Sequence, residues 1–289
     1  MQKKIIMIRI VENKLACFIL ISLFALVGCN TDETQVVATF DNLVFEDNFD
    51  VDGAPDPSKW TFDLGTGEAE GLNGWGNDEL QYYTNRPENI KVENGYLLIT
   101  AMEEDFQGSS YTSARIKTQG LFQQRYGRFE ARIRLPFGQG YWPAFWMLGD
   151  DNNGADVWPQ IGEIDIMENT GDAPTEIFGS IHGPQYSGGE SISKSLELLN
   201  TRVDSEFHVY GIEWGPDYIN FYVDGELYNQ LTPDDVIDET NGEGEWVFND
   251  REFYMLINLA VGGNLPGPPN ANTVFPQTML IDYVRVYQE

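Results

Sequence analysis

Along most of this 289-residue chain, apolar and polar residues alternate in short runs broken by turn residues, and helical spacing is almost absent. The alternation predicts strands at residues 43–45, 90–92, 96–102, 111–117, 125–135, 144–148 and 161–169. Further strands are predicted at 177–181, 208–214, 218–223, 226–230, 253–261 and 279–287. Glu93-Asn94-Gly95 and Val223-Asp224-Gly225 supply turn chemistry, and the second is a hairpin signal between two aromatic-rich runs. Only residues 234–238 have the spacing of a short helical turn. No repeat or linker divides the set. The prediction is therefore one all-β domain over residues 43–289, a jelly-roll sandwich of two antiparallel sheets.

One run breaks the alternation. Residues 160–169 read Gln-Ile-Gly-Glu-Ile-Asp-Ile-Met-Glu-Asn, placing Glu163, Asp165 and Glu168 among Ile161, Ile164, Ile166 and Met167. On a regular strand Glu163 and Asp165 share a face and Glu168 points to the other. If Met167 is the extra residue of a β-bulge, the parity shifts and all three carboxylates line one face. With 46 acidic residues in the chain, such spacing arises by chance, so its flanks carry the weight. Those flanks are apolar core, and no Lys or Arg occurs between Arg134 and Lys194 to offset the repulsion. A purely structural strand has little reason to be built so.

Aromatic residues gather nearby. In Tyr141-Trp142-Pro143-Ala144-Phe145-Trp146-Met147, Phe145 and Met147 form a core face, while Trp142 and Trp146 share the opposite one. Two aligned indoles beside a carboxylate row make a platform for the apolar faces of sugar rings. Glycine-rich loops at 63–77, 149–159, 182–189 and 262–272 carry more aromatics and can wall a cleft.

Charge narrows the partners. The net charge of −29 argues against nucleic acid and against adhesion to anionic membrane surfaces. The N-terminus reads as an address: Lys3, Lys4, Arg9 and Lys14 precede an apolar run too short for a typical spanning helix. It ends in Leu26-Val27-Gly28-Cys29, which resembles the lipobox of bacterial lipoproteins. That resemblance implies a signal peptide at 1–28, lipid on Cys29 and a flexible tether over 29–42. Cys17 leaves with the signal, so the mature domain has no disulfide. Acidic Asp32 and Glu33 just after Cys29 resemble a surface-export signal of some bacterial lipoproteins. The expected location is the bacterial outer membrane at the cell surface, with the membrane met only through that lipid and the protein a monomer.

Several segments together carry a more specific resemblance. Asn73-Gly74-Trp75-Gly76-Asn77-Asp78-Glu79-Leu80-Gln81-Tyr82-Tyr83, Tyr126-Gly127-Arg128-Phe129-Glu130, Trp142 to Leu148 and Gly162 to Glu168 resemble glycoside hydrolase family 16. The likeness spans about residues 43–287, and the bulged Glu-x-Asp-x-x-Glu form is similar to the laminarinase-like subgroup. It implies a concanavalin-like jelly-roll with a cleft on its concave face. It also implies an endo-acting, retaining hydrolase of β-1,3-glucan, laminarin or a mixed-linkage polymer, with no cofactor in catalysis. Glu163 then matches the nucleophile, Glu168 the general acid/base, and Asp165 the residue orienting the nucleophile. Asn77, Arg115, Trp142, Trp146, Trp158 and His182 match cleft positions that contact substrate. Arg115 could instead simply pair with a carboxylate such as Glu79 or Glu130. A structural calcium ion is implied at Glu46, the Gly95 carbonyl and Asp282, remote from the cleft. Two alternatives stay open: a same-fold hydrolase of a marine galactan (agarase, porphyranase or carrageenase type), and a non-catalytic β-glucan-binding lipoprotein.

Overall fold

The computed structural model describes residues 39–151 and 154–289. The expected signal peptide, Cys29 and most of the expected tether lie outside the described residues. Among the described residues, seventeen strands, numbered in chain order, form two sheets, and a single α-helix, Pro233–Glu239, lies at the expected helical turn. The larger sheet holds β1 (Asn42–Asp47), β3 (Gln81–Tyr83), β4 (Ile90–Glu93), β5 (Tyr96–Phe106) and β6 (Ser109–Ser113). It continues through β8 (Gly127–Arg134), β13 (His208–Gly215), β14 (Tyr218–Val223), β15 (Glu226–Leu231) and β17 (Gln277–Gln288). The smaller sheet's strands are β2 (Thr61–Asp63), β7 (Arg115–Lys117), β9 (Tyr141–Gly149), β10 (Glu163–Glu168), β11 (Glu176–His182), β12 (Ile192–Glu197) and β16 (Phe253–Val261). Across that sheet they run β12-β11-β10-β9-β16-β7-β2. Pairing is antiparallel except between β3 and β6. The architecture is the expected sandwich.

Alternation decides which face of most strands is buried, although β16 is buried on both. Phe129, Ala131 and Ile133 of β8, Phe145 and Met147 of β9, and Ile257 and Leu259 of β16 are fully buried in one core between the sheets. Trp214 anchors it, ringed by Tyr126, Phe129 and Phe253, and its indole N–H donates to the Phe248 carbonyl at 2.9 Å. Burial of side chains this size stabilises by about 1.5–3 kcal/mol each relative to exposure. Near the N-terminal edge, buried Asp47 accepts the Phe49 N–H at 3.1 Å and the Trp60 indole N–H at 2.8 Å. Those bonds tie β1 and its partner β17 to the segment leading into β2.

Four strand assignments change. Residues 111–117 are two strands parted at Ala114, not one, and each joins a different sheet. β2, β3 and β12 carry no clear alternation in the sequence: two have three residues each, and β12 is a mostly exposed edge.

Candidate active site

The smaller sheet turns its second face away from the core, and register brings the functional side chains together on it. One cross-strand row reads Glu168, Ala144, Asn258, Arg115, Asp63 across β10, β9, β16, β7 and β2. The next holds Asp165 opposite Trp146, with Ser180 on the other side. A third joins His182, Glu163, Leu148 and Tyr254. Between the first two rows β9 advances two residues, Trp146 to Ala144, and β11 advances two, Ser180 to Phe178. β10 advances three, Asp165 to Glu168. That is the expected bulge.

Its anatomy corrects one detail. Against β9 the unpaired residue is Ile166, whereas Met167 pairs with Phe145. Both side chains are buried in the core, Ile166 at 1% exposure and Met167 at 0%. Two consecutive apolar residues thus face inward, and Glu168 regains the face of Glu163 and Asp165.

A cavity of about 250 Å³ lies over these rows. Its walls include all nine residues expected there: Glu163, Asp165, Glu168, Asn77, Arg115, Trp142, Trp146, Trp158 and His182. Each terminal glutamate receives an indole N–H. Trp142 Nε1 donates to Glu168 Oε1 at 2.9 Å, and Trp158 Nε1 to Glu163 Oε2 at 2.9 Å. Trp146 Nε1 donates to Asn258 Oδ1 at 2.7 Å, so its ring stands fixed. Gly263 backs Trp142. A Cβ there would lie 3.0 Å from the indole, and the φ of +102° already favours glycine.

Crowding sets protonation. Burial, then the charge of Asp165, pushes the Glu168 carboxyl up to about 8, with Trp142 and His182 working against the rise. The same two causes push Glu163 up to about 7, opposed by His182, the Trp158 N–H and Arg115. His182 Nε2 lies 2.9 Å from Asp165 Oδ2 and 3.7 Å from Glu163 Oε1. Burial lowers the imidazole's value, but the charge and hydrogen bond of Asp165, with Glu163 and Glu168, outweigh it and push it to about 9. The Gly188 N–H opposes that by donating to Nδ1 at 3.1 Å, which requires a lone pair there. Nε2 carries the proton that faces Asp165.

Arg115 is neither free nor paired as the sequence led one to expect. Its Nε lies 2.8 Å from Asp63 Oδ2, its neighbour across the β7–β2 pair, while Glu130 is taken by Arg128. The guanidinium sits between the Trp75 and Trp146 rings, 4.7 Å from each centroid. Sequence reasoning gave no site role to Glu79, Trp75 or Asn258, which also line the cavity. Glu79 accepts from Gln81 Nε2 at 2.6 Å and Tyr83 OH at 3.0 Å, and burial raises its carboxyl despite the charge of Arg115. No alternation marked Glu79, because Asp78 between it and Asn77 has a φ of +57° and the strand period does not hold there.

Two of the three implied calcium ligands are engaged by guanidiniums in this structure. Glu46 accepts from Arg285 Nε at 3.0 Å, and Asp282 accepts from Arg132 Nη1. Glu46 also stands opposite Arg285 in the β1–β17 ladder, three residues along β17 from Asp282. A donor set already occupied by two guanidiniums does not fit the ion. Among the described residues, the one cluster of three His, Cys, Asp or Glu side chains within metal-ligand reach is Glu163, Asp165 and His182, in the cleft itself.

Two half-buried, desolvated carboxyls with a third acidic group between them, under aromatic walls, can supply a proton and a nucleophile to one bound sugar. Comparison with known proteins agrees with that class. The family model for glycosyl hydrolases family 16 matches residues 77–249. A β-glucanase of Rhodothermus marinus is 42% identical over 274 residues, 92% of either chain. The laminarinase catalytic domain of Thermotoga petrophila superposes with a TM-score of 0.81 at 45% identity, covering 88% of this chain and 99% of that one. A non-specific endo-β-1,3(4)-glucanase of family 16 gives a TM-score of 0.73 at 37% identity, covering 86% and 93%. The chain belongs to glycosyl hydrolases family 16.

Proposed function

We propose that this protein is an endo-acting, retaining hydrolase of β-1,3-glucan that also accepts mixed β-1,3/1,4-linked polymer. The observation that carries the reading is the bulge, which sets Glu163, Asp165 and Glu168 on one face of β10 beneath Trp142 and Trp146. Kinship to laminarinases and to a β-1,3(4)-glucanase supports the choice of polymer.

In this reading Glu168, its carboxyl held up by burial and by Asp165, donates its proton to the glycosidic oxygen. Glu163 attacks the anomeric carbon as the bond breaks and forms a glycosyl-enzyme ester. Glu168, now ionised, takes a proton from water, whose oxygen attacks the same carbon and releases Glu163. Asp165, held by His182, keeps negative charge between the two and so opposes loss of the Glu168 proton before substrate is bound. Trp142, Trp146 and Trp158 present ring faces to sugars, and Asn77 and Arg115 line the same groove.

Incubation with laminarin, lichenan, agarose and carrageenan, followed by product analysis, tests the polymer. Oligosaccharides from laminarin of several lengths are expected, and none from the galactans. The sulfated alternative has little to draw on, because Arg115 is the one Lys or Arg lining the cavity and it is paired with Asp63. Glu163→Ala is expected to abolish hydrolysis while leaving laminarin binding intact; an active variant would sink the role assignment. The address belongs to the same proposal: a lipid on Cys29 tethers the exported enzyme to the outer membrane at the cell surface. Cys29→Ala should move the protein from the membrane to the soluble fraction.

A further inference from the structure

We infer that the two indole N–H groups at the reacting carboxylates play different parts. Trp158 favours ionised Glu163, whereas Trp142 fixes how and how tightly Glu168 carries its proton. The inference rests on the roles given to Glu163 and Glu168 above. It concerns the N–H groups and not the ring faces, so it is separate from any stacking on sugar.

An indole N–H donates and cannot accept. Placed 2.9 Å from Glu163 Oε2, it stabilises the carboxylate over the acid. The same group 2.9 Å from Glu168 Oε1 disfavours a proton on that oxygen, because the hydroxyl oxygen of an acid accepts an N–H less well than its carbonyl oxygen. The transferable proton therefore favours Glu168 Oε2. Trp142 thus biases which oxygen carries the proton and limits the hold on it, both through one bond.

The charges common to both glutamates do not make this division, and Arg115, which lowers Glu163 alone, works in the same direction as Trp158. Asp165 raises both glutamates, and His182 lowers both. Beyond those, Glu163 feels Arg115 of β7, with Tyr254 of β16 in range. Glu168 feels Glu163, and Tyr228 of β15 lies in range of it. The two indoles are the only contacts in this set that touch one glutamate by hydrogen bond and leave the other alone. They also differ in origin. Trp142 belongs to β9 and is half-buried against Gly263, whereas Trp158 lies on the loop before β10 and is 44% exposed. Water can replace an exposed donor, so the effect at Trp158 is the smaller one.

The test is the pH dependence of kcat/KM on soluble laminari-oligosaccharides for Trp158→Phe and Trp142→Phe, which keep a ring and lose the N–H. The acid limb reports Glu163 and the alkaline limb Glu168. Trp158→Phe is expected to move the acid limb up by about half a pH unit, and Trp142→Phe the alkaline limb up by about one pH unit. Each should leave the other limb in place. If neither limb moves, or each variant moves both alike, the division is wrong. A change confined to KM would also overturn it, since that would be a stacking role. Should Trp142→Phe fail to fold, benzothienylalanine at position 142 replaces N–H with sulfur at nearly constant shape and reads the same limb. Glu163→Gln and Glu168→Gln run alongside: activity surviving in those variants would defeat the catalytic roles, whereas dead glutamate variants with unmoved limbs would defeat only the indole inference.

Discussion

Glu168 is useful to the reaction for the same reason it is unfavourable to the fold. Its carboxyl is pushed up to about 8 by burial and by Asp165, against about 4.3 in an unfolded chain. The folded protein therefore binds this proton more tightly than the unfolded one. Stability from that proton is fully present below about pH 4.3 and is lost as pH rises through about 8. Glu168→Gln, which cannot ionise, is expected to raise Tm at about pH 8.5 relative to the parent and to change it little at about pH 5. Equal Tm differences at both pH values would show that Glu168 is not held protonated. At this scale the sequence was informative about identity and silent about partners. Residue types and spacing marked Glu163, Asp165, Glu168, Trp142 and Trp146, and the family resemblance added Trp158 and His182. They could not reveal that Arg115 pairs with Asp63, because β2 is too short to register as a strand and its neighbour on β7 was invisible.

The bulge is the element on which the site depends. Neighbouring strands advance two residues where β10 advances three, so removing either Ile166 or Met167 restores a plain ladder. Deletion of Met167 is then expected to turn Glu168 toward the core and abolish activity, with both glutamates still in the chain. Burying an unpaired carboxyl there also costs several kcal/mol, so a lowered Tm should accompany the loss. Retained hydrolysis would refute the parity argument. Parity was readable because Ile164, Ile166 and Met167 are apolar while the carboxylates are not. Which of two adjacent buried residues goes unpaired was not, since hydropathy treats isoleucine and methionine alike. The same limit hid β12, whose exposed Ser193, Lys194 and Ser195 give an edge strand no apolar face to announce it.

At the scale of the molecule, the described domain closes on itself through β1 against β17, and Asp47 pins that edge to Trp60. A chain beginning at Thr39 is expected to match the full chain in Tm and in activity on dissolved laminarin, because the first described strand starts at Asn42. A marked drop in either would mean the preceding residues contribute to the fold rather than to location. The two indoles give the last consequence. One is built into a central strand of the sheet and the other is carried by a surface loop, so the two halves of the catalytic pair are free to diverge at different rates. Descendants of this fold can lengthen, shorten or recast the loop that carries Trp158, and with it the sugars admitted beside Glu163, while the proton donor stays locked in its strand. New polymers would be acquired from the nucleophile's side of the groove.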